Sequence, residues 1–149
     1  MDTSKISMRQ AHRLIQFGMF LFLLALLIGL TIPLFKIPRL GLSAHLLGIL
    51  QGIFLIVVGL LWHKFTLNIA TSRVLFWLVL YGCFSAWGAN VIAGVWGFGN
   101  TMLPIAAGQA HGNAFQEGLI MIMLRSAAVS LLATVILILW GLRFVDNRR

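Results

Sequence analysis

Polar residues in this chain are gathered between long apolar runs rather than scattered among them. Four stretches, at approximately residues 14–35, 43–62, 74–98 and 118–142, consist mostly of Leu, Ile, Val, Phe, Ala and Gly. Crossing the ~30 Å hydrocarbon layer takes about 20 helical residues, and each stretch has that length. Nothing alternates with the period of a barrel strand, and lipid offers no partner to free backbone groups, so the runs are predicted as helices. The fold expected is all-α: one membrane domain over residues 1–149, an integral four-helix transmembrane bundle with connections at 36–42, 63–73 and 99–117. The first run exceeds the roughly 7–15-residue core of a signal peptide and no small-x-small cleavage site follows it, so it is read as a retained span.

Composition sharpens this. Sixty per cent of residues are hydrophobic and 9% are charged, against roughly 25% charged in globular chains; the mean hydropathy is +1.00. The net charge of +8 raises the question of nucleic acid, but the basic residues flank the apolar runs, where they meet lipid phosphates and water. No basic stripe with interleaved aromatics occurs, so the bilayer is the partner expected, and nucleic acid is not. Lys5, Arg9, Arg13, Lys64, Arg73, Arg143, Arg148 and Arg149 fall on one side of the four spans, and Lys36 and Arg39 on the other. The positive-inside rule then gives N-in and C-in, a multi-pass protein of a bacterial inner cell membrane. The single cysteine, Cys83, excludes a disulfide framework and reads as a small buried hydrophobe. The third connection contains no Lys or Arg. Its small and apolar residues suit a lid or a short re-entrant segment; a plain surface loop is the other reading.

Polar groups inside a span are costly and mark candidate sites. The second span holds His45, Gln51, Gly48 and Gly52. At 100° per residue His45 and Gly52 fall nearly in line, with Gly48 beside them. The glycines are read either as a close helix contact of the GxxxG kind or as room for a flat ligand under a histidine. The third span carries Tyr81, Trp87, Asn90 and Trp96, aromatic walls with a few polar groups, as a pocket for a small aromatic molecule needs. Trp96 also suits an interfacial belt. The fourth span opens at Glu117 and contains Arg125 two turns deeper; this is read as an ion pair or as an acid tuned for proton transfer. Ser126, Ser130 and Thr134 recur every fourth residue, as on a helix-packing face.

Taken in order, Pro38-Arg39-Leu40-Gly41-Leu42-Ser43-Ala44-His45, Gly48, Gln51-Gly52, Ala86-Trp87, Trp96-Gly97, Pro104-Ile105-Ala106, His111-Gly112 and Gln116-Glu117 resemble the hydroxylaminobenzene mutase family. That likeness implies a small membrane isomerase that rearranges an aryl hydroxylamine to a 2-aminophenol by intramolecular hydroxyl transfer, in the breakdown of aromatic compounds. A more distant similarity is to styrene oxide isomerase, in which a histidine is followed six residues later by an amide and then glycine; here these are His45, Gln51 and Gly52. That second likeness implies heme b, with His45 as the axial metal ligand and the cofactor held between subunits of a homo-oligomer, a trimer. Gly48, Gly52 and Arg39 would then contact the cofactor. The amide here is Gln51 rather than asparagine, and four residues past Asn90 stands Gly94, so that family's catalytic tyrosine has no counterpart there.

The chemistry asks little of redox cofactors. The rearrangement is redox-neutral, and no fingerprint for NAD or flavin occurs. The N–O bond must be polarised by a proton or a metal, and the electron-poor ring kept dry so that oxygen returns to the ortho carbon. The expected roles are Gln51 and Asn90 orienting the NHOH group, Trp87, Trp96 and Tyr81 lining the substrate site, and His111 or Glu117 moving protons. Two other classes stay open on the residues alone: a heme b electron carrier with His45 and His111 as paired ligands, and a small transporter or non-catalytic membrane subunit.

Overall fold

The structure, a computed structural model, describes residues 3–143, with side chains from residue 7 onward. The Lys5 side chain, Arg148 and Arg149, which carry part of the charge bias, lie outside the described residues. Four long helices make up the fold: α1 (Thr3–Thr31), α2 (Pro38–Leu61), α3 (Ile69–Trp96) and α5 (Ala114–Leu142), with a short α4 (Pro104–Ala107) in the last connection. Single 3-10 turns, Ile32–Leu34 and Trp62–Lys64, follow α1 and α2. No strand occurs among the described residues. All four long helices are apolar and long enough to cross a membrane.

The helices begin earlier than the apolar runs suggest. Hydropathy marks only the part that sits in lipid, whereas a helix extends until its end groups find partners. Pro38 opens α2 at a position where its missing N–H costs nothing. The Asn68 side chain caps α3 by accepting from the Thr71 N–H at 2.8 Å, and α5 starts with a reciprocal capping box between Asn113 and Gln116. Gly97, at φ +81, ends α3 in the left-handed conformation that a side chain disfavours.

The helices pack as two pairs. In the α1–α2 pair, a Cβ on Gly52 would lie 2.9 Å from the Gly18 carbonyl oxygen, so the two backbones touch. In the α3–α5 pair, Ser130 Oγ donates to the Leu78 carbonyl at 2.8 Å and Ser85 Oγ to that of Met123 at 3.1 Å. The pairs join through α2 and α3, helped by an Ile37 N–H donated to the Gly94 carbonyl at 3.1 Å. Helix α5 makes no comparable contact with α1 or α2. The bundle is therefore an open row, and the outward side of α3 lies in a cleft between α1 and α5.

The third connection is folded rather than loose. Phe98 and Ala107 are buried in an apolar cluster with Leu40, Ala89, Ala93 and Ile120. The chain returns over the ends of α2, α3 and α5 and closes the bundle on that side, with α4 as its one helical turn.

Candidate functional site

Between α2 and α3 the structure buries two polar atoms without partners. Gln51 is 7% exposed, and its Oε1 accepts no hydrogen bond; the indole Nε1 of Trp87 donates none. Helix geometry explains why they neighbour each other. Gly48 sits one turn before Gln51, and a Cβ there would lie 2.7 Å from Trp87 Nε1. The Trp87 indole thus fills the notch left by Gly48, directly below the helical turn that carries Gln51. One atom is a donor and the other an acceptor, and each costs roughly 1–3 kcal/mol while unsatisfied.

Asn90 is buried on the same helix as Trp87. Its Nδ2 donates to the Ala86 carbonyl one turn back at 3.0 Å, so the amide nitrogen has its partner within α3.

His45 stands about two turns into α2, half-buried against α1. Its Nδ1 lies 2.7 Å from the Ala25 carbonyl oxygen. A carbonyl can only accept, so Nδ1 carries a proton, and in the neutral ring Nε2 is then the bare nitrogen. The ring lies over Gly29, where a Cβ would fall 2.6 Å from Nδ1. A histidine oriented through Nδ1 to a backbone carbonyl, with Nε2 free, is the arrangement that metal-ligating histidines show. As a heme ligand His45 fits. The glycine strip beneath it is filled, because Gly48 meets Ala25 and Trp87, and Gly52 meets Gly18 and Phe22 of α1. These glycines serve close helix contact, so within one chain no flat cofactor lies on them. Arg39 is exposed at the start of α2. No group of three or more His, Cys, Asp or Glu side chains is assembled among the described residues.

Glu117 does not reach Arg125. Its carboxylate accepts three backbone N–H groups of the third connection, from Gly99 at 3.0 Å, Gly112 at 2.9 Å and Thr101 at 3.2 Å. The acid binds the loop to the first turn of α5. Arg125 is exposed and makes no ion pair among the described residues, a correction to the reading of Glu117 and Arg125 as an ion pair within one chain. The remaining candidates are dispersed. His111 is exposed in the connection. Trp96 is 52% exposed at the end of α3, tilted against Phe98, as an interfacial belt residue would be. Tyr81 is 50% exposed in the outer cleft, its hydroxyl 2.6 Å from Ser126 Oγ.

Thus Gln51, Trp87 and Asn90 are brought to one α2–α3 seam, His45 flanks it on the α1 side, and Tyr81, Trp96, His111 and Glu117 lie elsewhere. The sequence does not show the loop-clasping part of Glu117, because the convergence of donors from Gly99, Thr101 and Gly112 needs the loop's path; the Asn113-x-x-Gln116 capping spacing is the signal that marks the end of that loop.

Comparison with known proteins is consistent along nearly the whole chain. The styrene oxide isomerase family profile matches residues 10–143. Hydroxylaminobenzene mutase HabB of Ectopseudomonas oleovorans is 46% identical over 139 residues, covering 93% of this chain and 85% of that protein. Hydroxylaminobenzene mutase HabA of the same organism is 38% identical over 125 residues, covering 84% of this chain and 93% of that protein. No solved structure gives a significant match.

Proposed function

The chain belongs to the styrene oxide isomerase family and is an isomerase, and from that premise we propose that it converts an aryl hydroxylamine such as hydroxylaminobenzene to 2-aminophenol within the membrane. The likeness to both mutases supports this substrate class. The reaction balances internally: the N–O bond breaks, a C–O bond forms at the ortho carbon, that carbon loses its proton and the nitrogen regains one.

The observation that carries the reading is the orphaned pair at the α2–α3 seam. An NHOH group has both a donor and an acceptor. Trp87 Nε1–H would donate to the hydroxyl oxygen, drawing charge from the N–O bond as it weakens, and Gln51 Oε1 would accept the N–H and hold the group's orientation. Asn90, one turn from Trp87, would flank the ring. The apolar seam would keep bulk water from the electron-poor ring, so that oxygen returns from its own hydroxyl. Glu117 enters through the loop it binds, which closes the bundle above the seam; His111, exposed on that loop, would exchange protons with water.

The proposal includes heme b, with the free Nε2 of His45 as ligand. Bound there, the iron would supply Lewis acidity toward the substrate oxygen. Since Gly48 and Gly52 are packed against neighbours, the macrocycle would have to lie outside this chain's own core, which favours a homo-oligomer, a trimer in the reading above. The membrane would be a bacterial inner one, with both termini inside.

The test is product analysis on membranes containing the protein, supplied with phenylhydroxylamine in 18O-labelled water. Unlabelled 2-aminophenol is expected. Formation of 4-aminophenol, or label in the product, would show attack by water and overturn the intramolecular reading.

A further inference from the structure

Gly29 differs from the glycines that bring the backbones of α1 and α2 together. A Cβ on Gly18 would lie 2.7 Å from the Gly52 carbonyl oxygen, one on Gly52 2.9 Å from that of Gly18, and one on Gly59 2.9 Å from that of Ala11. At those positions the missing side chain lets two backbones touch. At Gly29 the three nearest atoms all belong to one imidazole: His45 Nδ1 at 2.6 Å, Cε1 at 2.7 Å and Cγ at 3.3 Å. This glycine makes room for a ring and not for a helix.

Helix geometry says what the room is for. Cα–Cβ bonds lean toward the N-terminus of a helix, so the side chain at i+4 shades the carbonyl at i. In α1 the carbonyl one turn before Gly29 is that of Ala25. The helix ladder uses one of its lone pairs, and the second can take a donor from outside only where position 29 leaves it uncovered. His45 Nδ1 enters there, 2.7 Å from the Ala25 oxygen. The height of the ring is set one rung further along. Ala25 is wholly buried, and a Cβ on Gly48 would fall 2.7 Å from both Ala25 Cβ and Trp87 Nε1. Gly48 thus lets Ala25 close on α2 three residues from His45, beside the indole of the seam.

We propose that Gly29 is a positioning residue for His45. By uncovering the Ala25 carbonyl it holds the imidazole as the Nδ1–H tautomer and leaves Nε2, turned from that carbonyl, as the nitrogen that takes a ligand. The bond at Nδ1 also makes Nε2 a stronger donor to a metal. A side chain at position 29 lifts the ring from the carbonyl and frees the proton to sit on either nitrogen. The use of Nε2 rests on the reading of His45 as a heme ligand; the tautomer is a property of the chain alone.

Full-length protein labelled with 15N-histidine, in nanodiscs without heme, tests it by NMR, with His45→Gln identifying the signal. At mildly alkaline pH the wild type should show His45 as the Nδ1–H tautomer alone. Gly29→Ala should move it toward the Nε2–H form that free histidine favours. Heme b titrated into the same discs should bind Gly29→Ala about tenfold more weakly, with the ferrous iron–histidine stretch at lower frequency. Gly59→Ala, which presses on the Ala11 carbonyl instead, should lower the unfolding midpoint and leave both signatures at their wild-type values. An Nε2–H tautomer in the wild type would overturn the proposal whether or not any variant folds. So would an unmoved tautomer in Gly29→Ala, or an equal displacement in Gly59→Ala, which would make the effect one of general packing. A wild-type Nδ1–H tautomer, lost in Gly29→Ala, in protein that takes up no heme would remove the cofactor and still support Gly29 as the seat of His45.

Discussion

Two residues separate a structural seam from a reactive one. A packed core has no use for a buried indole N–H and a buried amide oxygen that both lack partners, since each raises the energy of the resting protein. Trp87→Phe keeps most of the ring and deletes the donor. Thermal unfolding in detergent should then be unchanged or shifted upward, while 2-aminophenol formation falls about tenfold, the equivalent of one hydrogen bond of ~1.4 kcal/mol to the reacting group. A Trp87 that only fills the Gly48 notch predicts the reverse, lowered stability with activity per folded molecule intact. Gly52 gives a contrasting case. Its missing side chain is filled by the Gly18 carbonyl and Phe22, so Gly52→Val must push α1 and α2 apart. Overpacking of this kind costs roughly 1–3 kcal/mol, read as a lowered unfolding midpoint.

At the scale of elements, the third connection is held by charge-assisted bonds rather than by its composition. Glu117 receives N–H groups from Gly99, Thr101 and Gly112, and the Asn113–Gln116 box fixes where α5 begins. In Glu117→Gln one acceptor oxygen becomes a donor, so an N–H now faces an N–H and the negative charge is gone. Amide exchange at these three residues should accelerate at least tenfold, with α3 and the lower half of α5 unaffected; unchanged exchange would mean that burial of Phe98 and Ala107 suffices to hold the loop. The segment's small and apolar residues suggest in the sequence that it folds over the bundle, and it does. Its anchor is not visible there, because hydropathy has no term for three backbone donors meeting at one carboxylate.

For the whole molecule, the four spans are legible because lipid imposes one requirement on every turn of every helix, and that leaves a period-free apolar run of fixed length. The order of helices in space is not. Hydropathy treats all faces alike, so nothing marks α5 as packing on α3 and leaving a cleft toward α1, or Arg125 as exposed. The candidate site was legible as residue types, Gln51, Trp87 and Asn90, and illegible as geometry, since the fate of Gly48 depends on which neighbour enters its notch. Orientation rests on the Lys and Arg bias, and the fold supplies a clean way to test it. Cys83, the only cysteine, is wholly buried in α3, so the wild-type protein should not react with a membrane-impermeant maleimide in intact cells. Thr101→Cys, exposed on the third connection, should label rapidly from outside. His63→Cys, exposed in the turn after α2 at the opposite end, should label only after the membrane is breached. The reverse pattern would place both termini outside, and the loop clasped by Glu117 would then face the cytoplasm.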